Sequence, residues 1–137
     1  MAALAPDGWF TTGDLGKMTR EGRLVISGGR LGDMIIRGGE NVYPVEIENL
    51  LRGHPSVTDV AVFGMPDNYH GEIVAAAVIA REAIDSAAPL DYCRDCIARF
   101  KIPARCFAVV QFPLTANGKV KKVELRNLAI SGKLRDL

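Results

Sequence analysis

The chain has 137 residues, of which 48% are hydrophobic and 24% charged, ordinary values for one small domain with a single core. Its formal net charge of +1 argues against binding to nucleic acid or to an anionic membrane surface. No apolar run approaches the roughly 20 residues of a membrane helix, and the segment before Pro6 is too short for a secretory signal. We therefore expect a cytoplasmic protein with no membrane span.

The apolar patterns, taken in chain order, predict an α+β fold in which about three helices cover a small mixed sheet. Residues 9–15 and 23–27 are expected to form an N-terminal β-hairpin across the turn 19–22. The first helix is expected at Pro44–Arg52, because proline suits a first helical position and Gly53 is a stop signal.

The rest of the chain continues this alternation of strands and helices. Apolar runs predict two buried strands joined by a loop at 64–71, then a helix, a strand and a final helix. In order, these elements are expected at residues 57–63, 73–80, 89–100, 106–112 and 122–130.

Three cysteines lie in the C-terminal half, two of them in a CxxC pattern that can signal zinc binding or redox chemistry. Zinc would need a second ligand pair, and the only histidines are His54 and His70. Cys93 falls on the apolar face of the second predicted helix, with Cys96 beside it. We therefore expect Cys93, Cys96 and Cys106 to be buried, reduced structural residues and predict no metal site.

The stretch 28–48, GGRLGDMIIRGGENVYPVEIE, is the most informative in the chain. Gly38 and Gly39 permit positive φ, and Glu46 and Glu48 are expected in the first helical turn, where the helix dipole favours anions. Glycines this dense among charged residues indicate a backbone that moves or lies close to a ligand. A surface turn with solvated charges is the alternative.

Two further stretches are GWFTTGDLG at 8–16 and PLTANGKVKK at 113–122. In this order the three resemble the closing motifs of the adenylate-forming (AMP-binding) acyl-CoA synthetase family. GMPDNYHGE at 64–72 and IARFKIP at 97–103 extend the resemblance over nearly the whole chain. Family members are several times longer and carry a large N-terminal domain with a phosphate loop. No GxxxxGK-S/T pattern occurs here, so the chain is expected to be a fragment, inactive alone.

The resemblance implies a division of the chain. Residues 1–31 would be a remnant of the large N-terminal domain, Gly32 the hinge, and residues 33–137 the mobile C-terminal domain. Many relatives have Asp or Lys at the hinge position, whereas Gly tolerates large changes in φ and ψ. The alternative for Gly32 is a tight turn that needs a positive φ.

The resemblance also implies the reaction: a carboxylate attacks ATP to give an acyl-adenylate and pyrophosphate, and the thiol of CoA then displaces AMP. Lys119 matches the catalytic adenylation lysine of a P-x-T-x-x-G-K motif. Asp14 matches the aspartate that holds the ribose, and Arg30 an arginine that approaches the ribose or phosphate. The alternatives are a solvated lysine, a turn-forming aspartate, and an arginine paired with Asp33.

The CoA step is expected to use the opposite face of the domain. Residues with this implied role are Gly38, Gly39 and Glu40 beside the pantetheine arm, His70 close to it, and Phe100 and Lys101 near the CoA nucleotide. An ordinary two-glycine turn and core packing of Phe100 are the alternatives.

ATP and CoA are thus the implied cosubstrates, with Mg²⁺ expected in the full enzyme but not bound by this chain. The implied partners are the large N-terminal domain, a small-molecule carboxylate and CoA. Two alternative functions stay open: the lid of a carrier-protein-loading adenylation enzyme, and a non-catalytic interaction module.

Overall fold

The computed structural model describes residues 4–82, 84–85 and 87–137, which form eight strands, three α-helices and two short 3-10 turns. The strands are β1 (Asp14–Met18), β2 (Leu24–Arg30), β3 (Ile35–Arg37), β4 (Glu40–Val42), β5 (Val57–Asp67), β6 (Gly71–Ala80), β7 (Arg105–Ala108) and β8 (Arg135–Asp136). The helices are α1 (Pro44–Arg52), α2 (Ala87–Arg94) and α3 (Lys122–Ile130), and the 3-10 turns are Leu31–Asp33 and Arg99–Lys101. The predicted α+β class is confirmed.

The main sheet has six strands in the order β4-β3-β6-β7-β8, with β5 also paired to β6. The β6–β7 pair is parallel, and the other pairs are antiparallel. The central hairpin β5–β6 reads as a nearly continuous apolar run because both of its faces are buried.

Alternate residues of β5 and β6 belong to two separate cores. Val60, Val62 and Ala76 pack with Ile47 and Leu51 of α1. The intervening residues face the opposite side and pack with Leu125 of α3; they include Ala61, Phe63, Ala75 and Ala77. The two-residue period of a strand thus places α1 and α3 on opposite faces of one sheet.

Helices α1 and α3 have the bounds that the sequence predicts, and Gly53 follows α1 with its N–H bonded to the carbonyl of Leu50. The second helix is shorter than the predicted 89–100 and ends at Arg94. The N–H groups of Cys96 and Ile97 both donate to the Cys93 carbonyl, which closes the helix. Ala98 is then extended, and the chain turns toward β3.

The predicted loop 64–71 is also wrong, because β5 continues to Asp67 and β6 begins at Gly71. The Asp67 carboxylate accepts the N–H groups of Tyr69 and His70 and so closes a short turn. The predicted strand 106–112 is found only as Arg105–Ala108, although Phe112 is still buried. The sequence pattern missed β8, which pairs with β7.

The N-terminal hairpin exists, with its paired residues shifted to β1 and β2, and the predicted turn is held by the Gly22 N–H bonded to the Thr19 carbonyl. It forms a separate two-stranded sheet with exposed apolar side chains, among them Met18 and Leu24. Within the described ranges, no helix is long and apolar enough to cross a membrane.

Cys93 and Cys106 are buried free thiols, as expected, whereas the expectation for Cys96 is wrong. Cys96 is exposed because it lies beyond the C-terminal end of α2, outside the packed helical face.

Candidate functional site

The three residues expected to contact the nucleotide lie on one open cleft. Asp14, Arg30 and Lys119 line a cavity of about 570 Å³, together with Asp33, Glu48 and Lys122. Its walls come from the N-terminal hairpin, from α1, from strand β5 and from the segment that leads into α3. The structure therefore brings together residues that are more than a hundred positions apart in the sequence.

Asp14 and Arg30 are directly opposite in the β1–β2 register. The Nε atom of Arg30 lies 3.5 Å from Oδ1 of Asp14, and both side chains are substantially exposed. The ion pair with Asp33, the alternative for Arg30, does not occur among the described contacts; Arg30 pairs with Asp14 instead. Both side chains can thus reach a ligand in the cleft once their weak surface pair opens.

Lys119 is carried by a small, exposed turn. The Thr115 N–H donates to the Lys119 carbonyl at 2.8 Å, and the Lys119 N–H donates to Oγ1 of Thr115 at 3.1 Å. Gly118 has a φ of +76°, which favours glycine at this position. Among the described contacts Lys119 makes no ion pair, so its ammonium group is a free cation at the edge of the cleft.

The residues expected to contact the pantetheine arm meet at another place. Gly38 and Gly39 form the two-residue turn between β3 and β4, with φ values of +58° and +87°. Both values lie in the left-handed region, as a type I′ turn requires. Glu40 follows the turn, and His70 lies against Gly38, whose added Cβ would be 3.7 Å from Cδ2 of the imidazole.

His70 is held in this position by Asp67, whose Oδ1 lies 3.0 Å from Nδ1 of the imidazole. The hydrogen bond from the His70 backbone N–H is the largest influence on the Asp67 carboxyl and lowers its pKa. The turn between β5 and β6 is therefore fixed by a carboxylate that accepts several hydrogen bonds.

Phe100 and Lys101 also lie near β3, and each is held there by a different contact. Nη1 of Arg37 donates a 2.7 Å hydrogen bond to the Phe100 carbonyl. Nζ of Lys101 is 2.8 Å from both carboxylate oxygens of Glu46, so its charge is already paired. Phe100 is half-buried against the first core, which agrees with the packing alternative.

A neighbouring pocket of about 580 Å³ is lined by Arg37, Arg94 and Arg99. The sequence analysis did not predict this basic pocket. Arg37 in the stretch 28–48 and Arg99 in the stretch 97–103 were the residues that could have indicated it. The pocket shares no lining residue with the cleft of Asp14 and Lys119. The cleft of Asp14, Arg30 and Lys119 is lined by none of the residues expected to contact CoA, so the structure does not bring the two expected groups into one cavity.

Gly32 lies in the 3-10 turn between the N-terminal hairpin and β3. Its φ is outside the left-handed region, and an added Cβ would have no neighbour within 4 Å. The alternative that Gly32 serves a turn needing positive φ is therefore wrong.

Sequence reasoning also missed two carboxylates that hold α3 against the rest of the fold. Glu48, only 8% exposed, is the buried charged residue among those the structure describes. It accepts the Val62 N–H at 2.9 Å and lies 2.7 Å from Nζ of Lys122. Glu72 similarly accepts the Ile36 N–H and contacts Arg126 of α3. A charge on the apolar face of α1, next to Ile47, was the signal for Glu48.

The described residues contain no group of three or more His, Cys, Asp or Glu side chains that could hold a metal ion. Comparison with known proteins identifies the family: the model of the AMP-binding enzyme C-terminal domain matches residues 46–119. The chain belongs to this family.

Relatives of this AMP-binding domain are CoA ligases by name. The chain is 46% identical over 121 residues to long-chain-fatty-acid–CoA ligase FadD13 of Mycobacterium tuberculosis, covering 88% of the chain and 24% of that protein. It is 45% identical to indoleacetate–CoA ligase of Aromatoleum aromaticum, covering 93% of the chain and 25% of that protein. It spans about a quarter of the length of the curated relatives it matches.

Solved structures give the same result. The o-succinylbenzoate CoA synthetase of Bacillus subtilis, in complex with its acyl-adenylate intermediate, matches with a TM-score of 0.84 and 36% identity over 90% of this chain and 25% of that one. ATP-bound MatB of Rhodopseudomonas palustris matches with a TM-score of 0.82 and 39% identity over 91% of this chain and 25% of that one. The AMP-binding C-terminal fold is therefore shown by sequence and by structure.

Proposed function

We propose that this chain is the mobile lid of an ATP-dependent acyl-CoA ligase, which converts a carboxylate, ATP and CoA into acyl-CoA, AMP and pyrophosphate. The observation that carries the proposal is the shared cleft of Asp14, Arg30 and Lys119, with the Lys119 ammonium unpaired among the described contacts. A module that had lost catalysis would need none of these three residues in one cleft.

Adenylation brings two anions together, because a carboxylate attacks the α-phosphate of ATP. Lys119 is the proposed catalytic residue, since a positioned cation stabilises the charge that develops on the phosphate and bridging oxygens. The two oxygens of Asp14 can accept hydrogen bonds from both ribose hydroxyls. The guanidinium of Arg30 offers a fork of donors to ribose or phosphate oxygens.

Thioester formation is proposed to use the edge formed by Gly38, Gly39, Glu40 and His70. The two glycines lack a Cβ, so a thin pantetheine chain can pass close to the backbone. Phe100 is proposed to lie near the CoA nucleotide, whereas the charge of Lys101 would first have to leave Glu46.

The proposed domain division is the one that the resemblance to the family implies, and it would let the domain present two surfaces in turn. Residues 1–31 would belong to the large N-terminal domain, Gly32 would be the hinge, and residues 33–137 would rotate between the two half-reactions. The large domain would supply the acyl pocket, and the acyl substrate class is open.

We propose that the chain is inactive without that domain and that Mg²⁺ accompanies ATP in the full enzyme. A cytoplasmic location stays a prediction.

The test compares Lys119→Ala with Lys121→Ala in the full-length enzyme, since Lys121 is a nearby lysine that lies outside the proposed site. Carboxylate-dependent exchange of pyrophosphate into ATP should fall by about a hundredfold or more in Lys119→Ala, as loss of one preorganised charge typically does. Lys121→Ala should keep the wild-type exchange rate. Equal rates in the two variants would reject the role of Lys119.

The carrier-protein alternative is tested with the acceptor. Acyl-adenylate that reacts with free CoA supports the ligase, whereas reaction only with a pantetheinylated carrier protein supports the alternative. If no adenylate forms with any carboxylate, the non-catalytic module is favoured.

A further inference from the structure

The contact between Glu48 and Lys122 joins two elements that lie on opposite faces of the sheet. Glu48 is on α1, and Lys122 is the first residue of α3. Their charged atoms are 2.7 Å apart, and the two side chains are only 10% and 21% exposed. The other Glu48 contact, with the Val62 N–H, comes from the central strand β5. A desolvated carboxylate that accepts from two donors holds both donors in place, because removal of either partner leaves a buried group unsatisfied.

The exposed turn that carries Lys119 is joined to the rest of the fold at its base. Its internal hydrogen bonds link Thr115, Gly118 and Lys119 to one another and define its shape, while Val120 packs against the second core on the face opposite α1. Its base is joined by the Lys121 N–H to the Pro113 carbonyl, and α3 begins with the next residue. Lys122 is therefore the first side chain after Lys119 that ties this segment to α1.

The same pair sets the charge inside the cleft. Glu48, Lys119 and Lys122 all line the cavity that contains Asp14 and Arg30. Lys122 neutralises the Glu48 carboxylate at close range, in a partly desolvated place where an unpaired carboxylate would strongly attract another cation. Lys119 lines the same cavity and makes no ion pair among the described contacts, so a pairing with Glu48 would draw it away from a ligand.

We propose that Glu48 and Lys122 are positioning residues for Lys119: their ion pair holds the Lys119 turn against α1 and keeps the Lys119 ammonium unpaired. The effect on adenylation rests on the role of Lys119 under the proposed function. The effect on the turn does not.

The structural part is tested in this chain by amide hydrogen exchange. Glu48→Gln keeps an oxygen for the Val62 N–H but removes the charge, and the double variant Glu48→Gln/Lys122→Met removes both charges. In both variants the amides of Thr115, Gly118, Lys119 and Lys121 should exchange about tenfold faster or more, while those of β5 and β6 stay protected.

Two controls separate positioning from general destabilisation. Lys122→Arg can keep the ion pair and should exchange like the wild type. Glu124→Gln breaks the exposed Lys121–Glu124 pair of 3.5 Å at the same end of α3, and should also leave the turn unchanged. Unchanged exchange in both Glu48 variants, or equal acceleration throughout the sheet and the turn, would overturn the proposal.

In the full-length enzyme, Glu48→Gln should lower kcat for acyl-adenylate formation by about tenfold or more. Thioester formation from pre-made acyl-adenylate should stay at the wild-type rate, and Lys122→Arg should keep both rates. If Lys119→Ala leaves adenylation intact, the proposed function fails while the exchange result stands. If Lys119→Ala blocks adenylation and Glu48→Gln does not slow it, positioning alone is overturned.

Discussion

The backbone N–H of Gly38 donates a 2.8 Å hydrogen bond to the carbonyl oxygen of His70. This bond joins the β3–β4 turn to the β5–β6 turn at one end of these strands, where Arg37 is also paired with Gly71. Two motifs that are 32 positions apart therefore present a single surface. That surface is the one proposed to contact the pantetheine arm.

Gly39→Leu in the full-length enzyme should block the second half-reaction and spare the first. A branched side chain at this turn would fill the proposed path of the pantetheine, so thioester formation should fall by about a hundredfold or more. Adenylate formation should change little, because Gly39 does not line the cleft of Lys119. The two steps are measured separately, by pyrophosphate exchange and by thioester release from pre-made adenylate.

The matched control for this variant is Gly22→Leu, because Gly22 also has a positive φ, of +76°, and open space around a Cβ. It places the same backbone strain in the β1–β2 turn. Equal losses of thioester formation in both variants would mean that strain, rather than a blocked path, is the cause.

Gly32→Ala should be nearly neutral for folding, and Gly29→Ala should not. The φ of Gly32 suits any residue and its Cβ would be unobstructed, so unfolding free energy should stay equal or rise by up to about 1 kcal/mol. Gly29 has a φ of +67°, and alanine there should cost about 1 kcal/mol. Urea unfolding of both variants checks this, and a loss at Gly32 equal to that at Gly29 would contradict it.

Gly32→Pro tests the hinge in the full-length enzyme. Proline fixes φ near about −65°, which should trap one of the two proposed domain poses. One half-reaction should fail while the other continues. Equal slowing of both, together with a lowered Tm, would point to damaged folding instead of a hinge.

The N-terminal hairpin should exchange its amides faster than the main sheet in this chain. Strands β1 and β2 form a separate two-stranded sheet with exposed side chains, and such a hairpin is marginal by itself. Amides of Lys17 and Val25 should therefore exchange well before those of Val60 and Ala76. Hydrogen exchange followed by NMR measures this, and equal protection of the two sheets would refute it.

Alkaline pH should destabilise the fold through two buried thiols. Burial, aided by nearby Cys96, raises the pKa of Cys93 to about 11, and burial, aided by Cys93, raises the pKa of Cys106 to about 12. Unfolded thiols ionise first, near pH 9, so these cysteines stabilise the fold below that pH and lose the contribution as pH rises through 11 and 12. The slope is up to about 1.4 kcal/mol per pH unit for each thiol.

Thermal unfolding between pH 8 and pH 11 should show a falling Tm. Cys93→Ala/Cys106→Ala should start from a lower Tm but lose it less steeply with pH. Cys96→Ala should behave almost like the wild type, since this thiol is exposed. Parallel pH curves for the wild type and the double variant would contradict the prediction.

Local chemistry was enough to predict several elements from sequence. Helix α1 follows from Pro44 at its start, Gly53 at its end and Ile47 and Leu51 on one face. The apolar runs of β5 and β6 likewise identify a buried hairpin. The second helix and the loop at 64–71 were misplaced. The helix is closed early by the N–H groups of Cys96 and Ile97 at the Cys93 carbonyl, and the loop is shortened by the β5–β6 ladder, which pairs residues of two strands.

The sequence by itself determined the α+β class, the family and the candidate residues, because periodicity, turn residues and motifs are local in the chain. Only the tertiary structure decided which of those residues meet: Asp14 with Arg30, Gly38 with His70, and Lys101 with Glu46. It also revealed Glu48, whose role comes from a lysine 74 positions later. A buried ion pair requires two distant side chains to be desolvated at one place, and no local pattern encodes that meeting.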